Sequence, residues 1–257
     1  MSLFEEAGVE PPALPPVMAA TRWPDNSAMT LDLARLGYIP VDGLILDPTY
    51  QDGTWWKRWP PGTPARLVTN SLDPANGADL CFDFRRAPFP DDTFDCVAYD
   101  PPYVSKGGRA TSTMQDHQRR YGIADAPKSP FELQQLINHG SSEMMRVLKP
   151  GGILLVKCQD YVSSGRIWWG THYTSHHIAT MYPKTEMVDR LYFLNNGSAQ
   201  PERDRKCSAC KGEGELPVIG LGGWKCMECD GTGRVPSVQQ HARVNVSTLW
   251  VFRKGPR

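Results

Sequence analysis

Cys96-Val97-Ala98-Tyr99-Asp100-Pro101-Pro102-Tyr103 is an apolar run that ends abruptly on a carboxylate, two prolines and a tyrosine. The first four residues read as a buried strand, and the prolines fix the backbone just beyond it. In an open α/β sheet, ligands bind outside the carboxyl ends of the strands. An acid and an aromatic ring held there by two rigid residues make a pre-shaped pocket for a planar amine. The Asp100 carboxylate can accept one hydrogen of an exocyclic NH2, the Pro101 carbonyl can accept the other, and Tyr103 offers a flat face. Taken alone, the same stretch is also a proline-stiffened turn with an exposed acid.

On either side the chain alternates strand-like and helix-like segments. Apolar runs at 44–46, 65–69 and 153–156 predict buried strands, and the periodicity predicts helices over 31–36, about 131–148 and 175–181. Gly37 is expected to end the first helix, and Lys149-Pro150-Gly151-Gly152 the second. Residues 188–194 and 246–252 alternate like a strand pair. Such alternation predicts an α/β domain with a mainly parallel sheet. The expected organisation is an N-terminal arm over 1–30, broken by five prolines, a catalytic domain over 31–198, an insertion over 199–241, and a final strand of the domain's sheet over 242–257.

Composition sets outer limits. The chain has 257 residues, 40% hydrophobic and 22% charged, enough for a sizeable core. The 23 glycines and 23 prolines predict many turns and long functional loops. Lys plus Arg and Asp plus Glu both total 28, which excludes a polybasic protein but leaves room for a local basic surface. The first residues lack the basic and apolar regions of a signal peptide, and no apolar run is long enough to span a membrane. The expected setting is the cytoplasm of a bacterial or phage-like system, with no membrane partner.

Polar residues recur at successive strand ends. Asp47, Pro48, Thr49, Tyr50, Gly53 and Thr54 follow the first strand, Ser71 and Asp73 the second, and Asp83 lies further on. Such an ordered set can hold a ribose and the edge of an adenine ring. These stretches resemble the class I S-adenosylmethionine-dependent methyltransferases, and among them the enzymes that modify exocyclic nitrogens of DNA bases. Asp100–Tyr103 is similar to their DPPY motif, and residues 46–54 to their cofactor loop. Residues 146–152 resemble the approach to their fifth strand, and the motif order resembles the gamma arrangement. Thr49 stands where that loop usually has Phe, and Gln51 where it has its first Gly.

The resemblance implies a Rossmann-like class I methyltransferase sheet, mostly parallel with its last strand antiparallel. It implies S-adenosylmethionine as cofactor, held by the loop residues, by Ser71 or Asp73 at the ribose and by Asp83 at the adenine amine. Asp100, Pro101, Pro102 and Tyr103 would be catalytic. A sulfonium methyl needs no protein nucleophile. A 5-methylcytosine enzyme would need one, usually a Cys after a Pro, and no Cys here follows a Pro.

Cys207-x-x-Cys210 and Cys226-x-x-Cys229, each followed by x-Gly-x-Gly, have the spacing of one tetrahedral structural zinc site. Each copy is similar to the cysteine-rich repeats of DnaJ-type chaperones. The expected insertion is therefore small and zinc-ribbon-like. Lys106, Arg109, Arg119 and Arg120 near the DPPY stretch, with Arg203, Arg205, Lys211 and Lys225 near the cysteines, are candidate contacts to a phosphate backbone. Trp55, Trp56, Trp168 and Trp169 are expected to pack around the pocket, Cys158 to be a buried structural thiol, and His172, His176 and His177 to form a polar helix face.

The expected activity is methyl transfer to a base amine, with adenine N6 in DNA first because Asp rather than Ser opens the motif. N4 of cytosine in DNA, an RNA base, and a non-catalytic zinc-containing nucleic-acid binder are the alternatives. Oligomeric state is left open.

Overall fold

The computed structural model describes residues 23–103, 105, 127–163, 166–194, 204–218, 222–236 and 246–256. The chain divides into two compact units, Met1–Asn195 with Val246–Arg257, and Asn196–Asn245.

The first unit opens with helix α1 (Asn26–Arg35), which starts earlier than the periodicity predicted. The reason is Asp25, whose carboxylate accepts the Ala28 N–H at 2.8 Å and caps the first turn. Strands β1 (Leu44–Asp47), β2 (Arg66–Thr69) and β3 (Phe94–Tyr99) follow. Helix α2 (Pro130–Val147) is capped by Ser129 and has Pro130 in its first turn. It leads directly into β4 (Leu148–Gln159). The helix ends just ahead of Lys149–Gly152, as expected, and that stretch also belongs to the strand. Its register against β3 is interrupted between Phe94 and Cys96, and Gly151 and Gly152 bond to Lys254 through the backbone. A short hairpin, β5 (Tyr161–Ser163) and β6 (Arg166–Trp168), precedes α3 (Gly170–Met181). Strand β7 (Glu186–Leu194) completes this run. No helix among the described residues is long and apolar enough to cross a membrane.

The second unit holds two antiparallel ribbons. One pairs β8 (Asp204–Lys206) with β11 (Arg234–Pro236), and the other pairs β9 (Glu215–Val218) with β10 (Gly222–Lys225). The chain then returns to the first unit as β12 (Val246–Arg253).

The main sheet has the order β2-β1-β3-β4-β12-β7. β1 to β4 run parallel, and β12 runs antiparallel to both β4 and β7. This is a mostly parallel, Rossmann-like sheet with the last strand in sequence reversed. Period-2 alternation sends one set of side chains to each face. Leu46, Val97, Tyr99, Leu154 and Val156 pack against α2, while Ile45, Cys96, Ala98, Ile153 and Leu155 pack with Met29 and Leu33 of α1 and with Trp55 and Trp56. Both faces are covered, so the stretches 96–99 of β3 and 153–156 of β4 read as continuous apolar runs.

One helix glycine is fixed by this packing. A Cβ on Gly140 would run into the Tyr99 hydroxyl and the Phe84 ring. The glycine lets α2 lie close over the residue that precedes Asp100.

Candidate active site

β1 and β3 are neighbours, yet the chain leaves β1 towards β2 on one side and β3 leads on towards β4 on the other. A topological switch of this kind opens a crevice beyond the carboxyl ends of the two strands. Asp47 ends β1, and Asp100 follows β3 directly. The two loops are stitched together: the Asp100 backbone N–H donates to Thr49 Oγ1 at 3.0 Å, and the Thr49 N–H donates to Asp47 Oδ1 at 2.9 Å.

The Asp100 carboxylate is divided between two environments. Oδ2 accepts the Trp55 indole N–H at 3.1 Å and lies 3.8 Å from Lys157 Nζ. Oδ1 is buried and has no hydrogen-bond partner among the described residues. An unpaired buried acceptor is costly, so such an atom marks a place where a ligand donor belongs. Burial raises the Asp100 carboxyl above the usual range, and the Lys157 charge and Trp55 bond pull it back only in part. Tyr103 is half-buried against the core, and its hydroxyl is likewise buried without a partner among the described residues.

Asp47 is buried and accepts the Trp56 indole N–H at 2.6 Å. Burial pushes its carboxyl up to about 7 against the Trp56 and Thr49 bonds, and the Asp100 charge adds to the rise. Two carboxylates thus face a site where, among the described residues, Lys157 is the one cation in ion-pair range of either. The donor set has room for a positively charged ligand. The loop between them turns tightly: Gly53 has φ +67°, and a Cβ there would press on the Tyr50 ring. Gln51, two residues before Gly53, also has positive φ, +51°. The backbone shape that glycine usually supplies is kept without it.

Further out, the expected ribose and adenine contacts are engaged locally. Ser71 Oγ accepts from the Asp73 N–H at 3.2 Å and from Asn76 Nδ2 at 2.8 Å. Asp73 caps the short 3-10 turn Pro74–Asn76 through the Ala75 N–H. Asp83 is clasped by Arg85, with Nη2 2.6 Å from Oδ2; burial opposes ionisation there, but the Arg85 contacts hold the carboxyl below its usual value. Pro48 bonds through its carbonyl to Asn70 Nδ2 at 2.9 Å, and Thr54 Oγ1 receives Asn26 Nδ2 at 3.4 Å.

Sequence reasoning gave Trp55 and Trp56 only a packing role. They do pack, but each also orients a carboxylate, and their signal was an indole pair just after the Gly53 turn. Lys157 was missed; its signal was a lone charge at the end of the apolar run 153–156. Trp169 is half exposed instead of packed. Cys158 is buried with its thiol pushed up by desolvation, as a structural thiol would be. His177 bonds Ser142 at 2.9 Å.

In the second unit all four cysteines are buried, and their sulfur atoms lie within 4.8 Å of one another. Sγ of Cys207 and Cys226 are 3.7 Å apart, and those of Cys210 and Cys229 are 3.6 Å apart. Zinc–sulfur bonds of about 2.3 Å give tetrahedral edges of about 3.8 Å. The two halves repeat each other: Gly214 N–H points to Cys210 Sγ at 3.3 Å and Gly233 N–H to Cys229 Sγ at 3.2 Å. The thiols thus have the number, burial and spacing of a closed tetrahedral metal site. Arg205, Lys211 and Lys225 are exposed on this unit, Lys225 beside Asp230. Lys106, Arg109, Arg119, Arg120 and Arg203 lie outside the described residues.

No protein-family model matches the sequence, and no curated protein matches it. Among solved structures, TrmN from Thermus thermophilus is 12% identical, with a TM-score of 0.45 over 88% of this chain and 48% of its own. The cytosine-N4-specific PvuII DNA methyltransferase is 13% identical, with a TM-score of 0.35 over 65% of this chain and 44% of its own. The [4+2]-cyclase SpnF is 15% identical, with a TM-score of 0.42 over 88% of this chain and 80% of its own. The chain spans about half the length of TrmN. Likenesses this distant do not assign an activity, and one fold carries many chemistries.

Proposed function

We propose that this chain is an S-adenosylmethionine-dependent methyltransferase acting on the exocyclic amine of a nucleic-acid base, N6 of adenine in DNA first. The observation that carries it is the split Asp100 carboxylate, with Oδ2 held by the protein and Oδ1 buried and unpartnered at the switch point. S-adenosylmethionine suits the site because two carboxylates meet one cation there, and the loop residues Asp47, Pro48, Thr49, Tyr50, Gly53 and Thr54, with Ser71 or Asp73 and Asp83, would hold it. When bound, that cofactor supplies an electrophilic methyl group and keeps the C–S bonding pair as a neutral thioether.

The protein's part is positioning and electrostatics. Asp100 Oδ1 accepts one N–H of the amine, and the Pro101 carbonyl accepts the other. Both bonds strengthen as the nitrogen becomes positive, so they favour the transition state over the ground state. The two hydrogens, once fixed, draw the nitrogen lone pair out of conjugation with the base. Pro101 and Pro102 keep the acceptors in place, and Tyr103 stacks on the ring. In a duplex, the base has to leave the stack to reach them.

Cys207, Cys210, Cys226 and Cys229 hold a structural zinc ion in this scheme. All four coordination positions are filled by protein, which leaves none for catalysis. The exposed Arg205, Lys211 and Lys225, with the sequence-level candidates Lys106, Arg109, Arg119, Arg120 and Arg203, contact the phosphate backbone.

The test is transfer of tritiated methyl from S-adenosylmethionine to unmodified genomic DNA and to total RNA offered separately, followed by nucleoside mass spectrometry. N6-methyladenine in DNA is the expected product. N4-methylcytosine or label in RNA alone would move the substrate. Absence of label together with absence of cofactor binding by calorimetry would overturn the proposal.

A further inference from the structure

Lys157 sits in β4 at the end of a fully apolar run, and its side chain is almost entirely buried. Buried lysines are rare and need a reason. Its ammonium donates to Asn26 Oδ1 at 2.8 Å, lies over the Phe193 ring at 4.7 Å from the centroid, and stands 3.8 Å from Asp100 Oδ2. Three separate elements, α1, β7 and the β3 end, therefore converge on one charge. The Asp100 contact is too long for a direct hydrogen bond but within ion-pair range.

We propose that Lys157 is the positioning residue of the candidate site: it keeps Asp100 an anion and turns Oδ2 inward, so that Oδ1 alone faces the substrate amine. The proposal rests on the methyltransferase reading above and adds the means by which Asp100 is made fit for it. A buried carboxyl group with no cation beside it prefers to be neutral, and a neutral one carries a proton on one oxygen. A protonated Oδ1 would meet the amine donor to donor. Among the described residues, the other groups facing Asp100 do not supply the missing charge. Asp47, from the end of β1, is itself acidic and pushes the wrong way, while Trp55 and Thr49, from the loop after β1, offer only neutral hydrogen bonds. Cys158, next along β4, has its thiol held in the neutral form by burial. The cation also selects a role. A carboxylate paired with an ammonium is a good hydrogen-bond acceptor and a poor proton acceptor, so Asp100 orients the amine, and the proton of the methylated, cationic nitrogen is released to water as the product leaves.

Trp55 provides a reporter that needs neither cofactor nor turnover. Its indole N–H donates to the same Oδ2, so its nitrogen-15 indole resonance follows the Asp100 titration in the ligand-free protein. Assignment comes from Trp55→Phe. The expected result is that Lys157→Met raises the midpoint by about one pH unit or more, whereas Lys157→Arg leaves it within about half a unit of wild type. If the methionine variant does not fold, Lys157→Gln keeps a donor towards Asn26 without the charge, and the same upward shift is expected. The acidic limb of kcat should move up in parallel, while the KM for cofactor changes by less than about twofold. An unshifted midpoint in the uncharged variant, beside an active wild type, overturns the role of Lys157 alone. A shifted midpoint in a chain that transfers no methyl group overturns the methyltransferase reading and leaves the charge pair standing.

Discussion

Asp100→Asn is nearly isosteric, and in a site where the carboxylate merely accepted hydrogen bonds it would be mild. The surroundings predict otherwise. On one side of the residue stand a hydrogen-bond donor, Trp55 Nε1 at 3.1 Å, and a cation, Lys157 Nζ at 3.8 Å, and on the other an open acceptor position. An amide has one acceptor oxygen and one donor nitrogen. Trp55 and Lys157 claim the oxygen, so the NH2 turns outward to where the substrate presents its own N–H. The variant loses a charge-assisted bond and gains a donor–donor conflict, together about 3–4 kcal/mol in the transition state. That corresponds to a fall of roughly 10²–10³ in kcat. Single-turnover methyl transfer with saturating cofactor reads it directly, with calorimetry expected to show cofactor affinity within about tenfold of wild type. Adding Trp55→Phe frees the amide to flip and should return about tenfold. An Asp100→Asn enzyme within about tenfold of wild type would refute the division of the carboxylate.

Three further outcomes follow from other parts of the molecule. The Asp47 carboxyl is raised from 3.8 to about 7. Its contribution to stability is therefore full below the unfolded value and is lost as pH rises towards 7, about 4 kcal/mol at most. The ligand-free melting temperature should show this downward slope between pH 4 and 7, Asp47→Asn should flatten it, and a slope unchanged by the substitution would count against a buried Asp47. One zinc per chain is expected by elemental analysis, and Cys207→Ser should lose it along with the protease resistance of residues 204–236; unchanged metal content would exclude the four-cysteine site. Gly233 has φ +70°, and a Cβ there would strike the Gly212 carbonyl oxygen. Gly233→Ala should cost about 1–3 kcal/mol and raise the zinc dissociation constant by about tenfold or more in a chelator competition, which wild-type-like retention would contradict.

Much of this architecture was readable before any coordinates, because it rests on local signals. An apolar run ending in Asp-Pro-Pro-Tyr marks a strand end, and two strand-like stretches flanking a cysteine module mark an insertion inside a hairpin. β7 and β12 do pair, from Val246 opposite Leu194 down to Arg253 opposite Glu186. The misses share a physical cause. Lys149–Gly152 reads only as the end of the helix, which it is; that it also opens β4 depends on backbone bonds to Lys254 from the far end of the chain. Trp55 and Trp56 read as packing because most of an indole is apolar. Which acceptor its single N–H finds depends on where β3 comes to lie. Lys157 needs three distant partners before its charge makes sense, and none is near it in sequence.

The point at which the second unit leaves the sheet has a meaning for how such a chain could change over time. Leu194 and Val246 face each other across two neighbouring antiparallel strands, and Ser247 pairs with Gln159 at the carboxyl end of β4. Both stumps therefore emerge on the same rim of the sheet as Asp100, already held at hairpin distance by the ladder behind them. Anything that fits between two adjacent strand ends can be mounted there without moving a core residue or shifting a register. The sheet keeps its ladder and offers, between two neighbouring strand ends, a socket whose contents are free to differ.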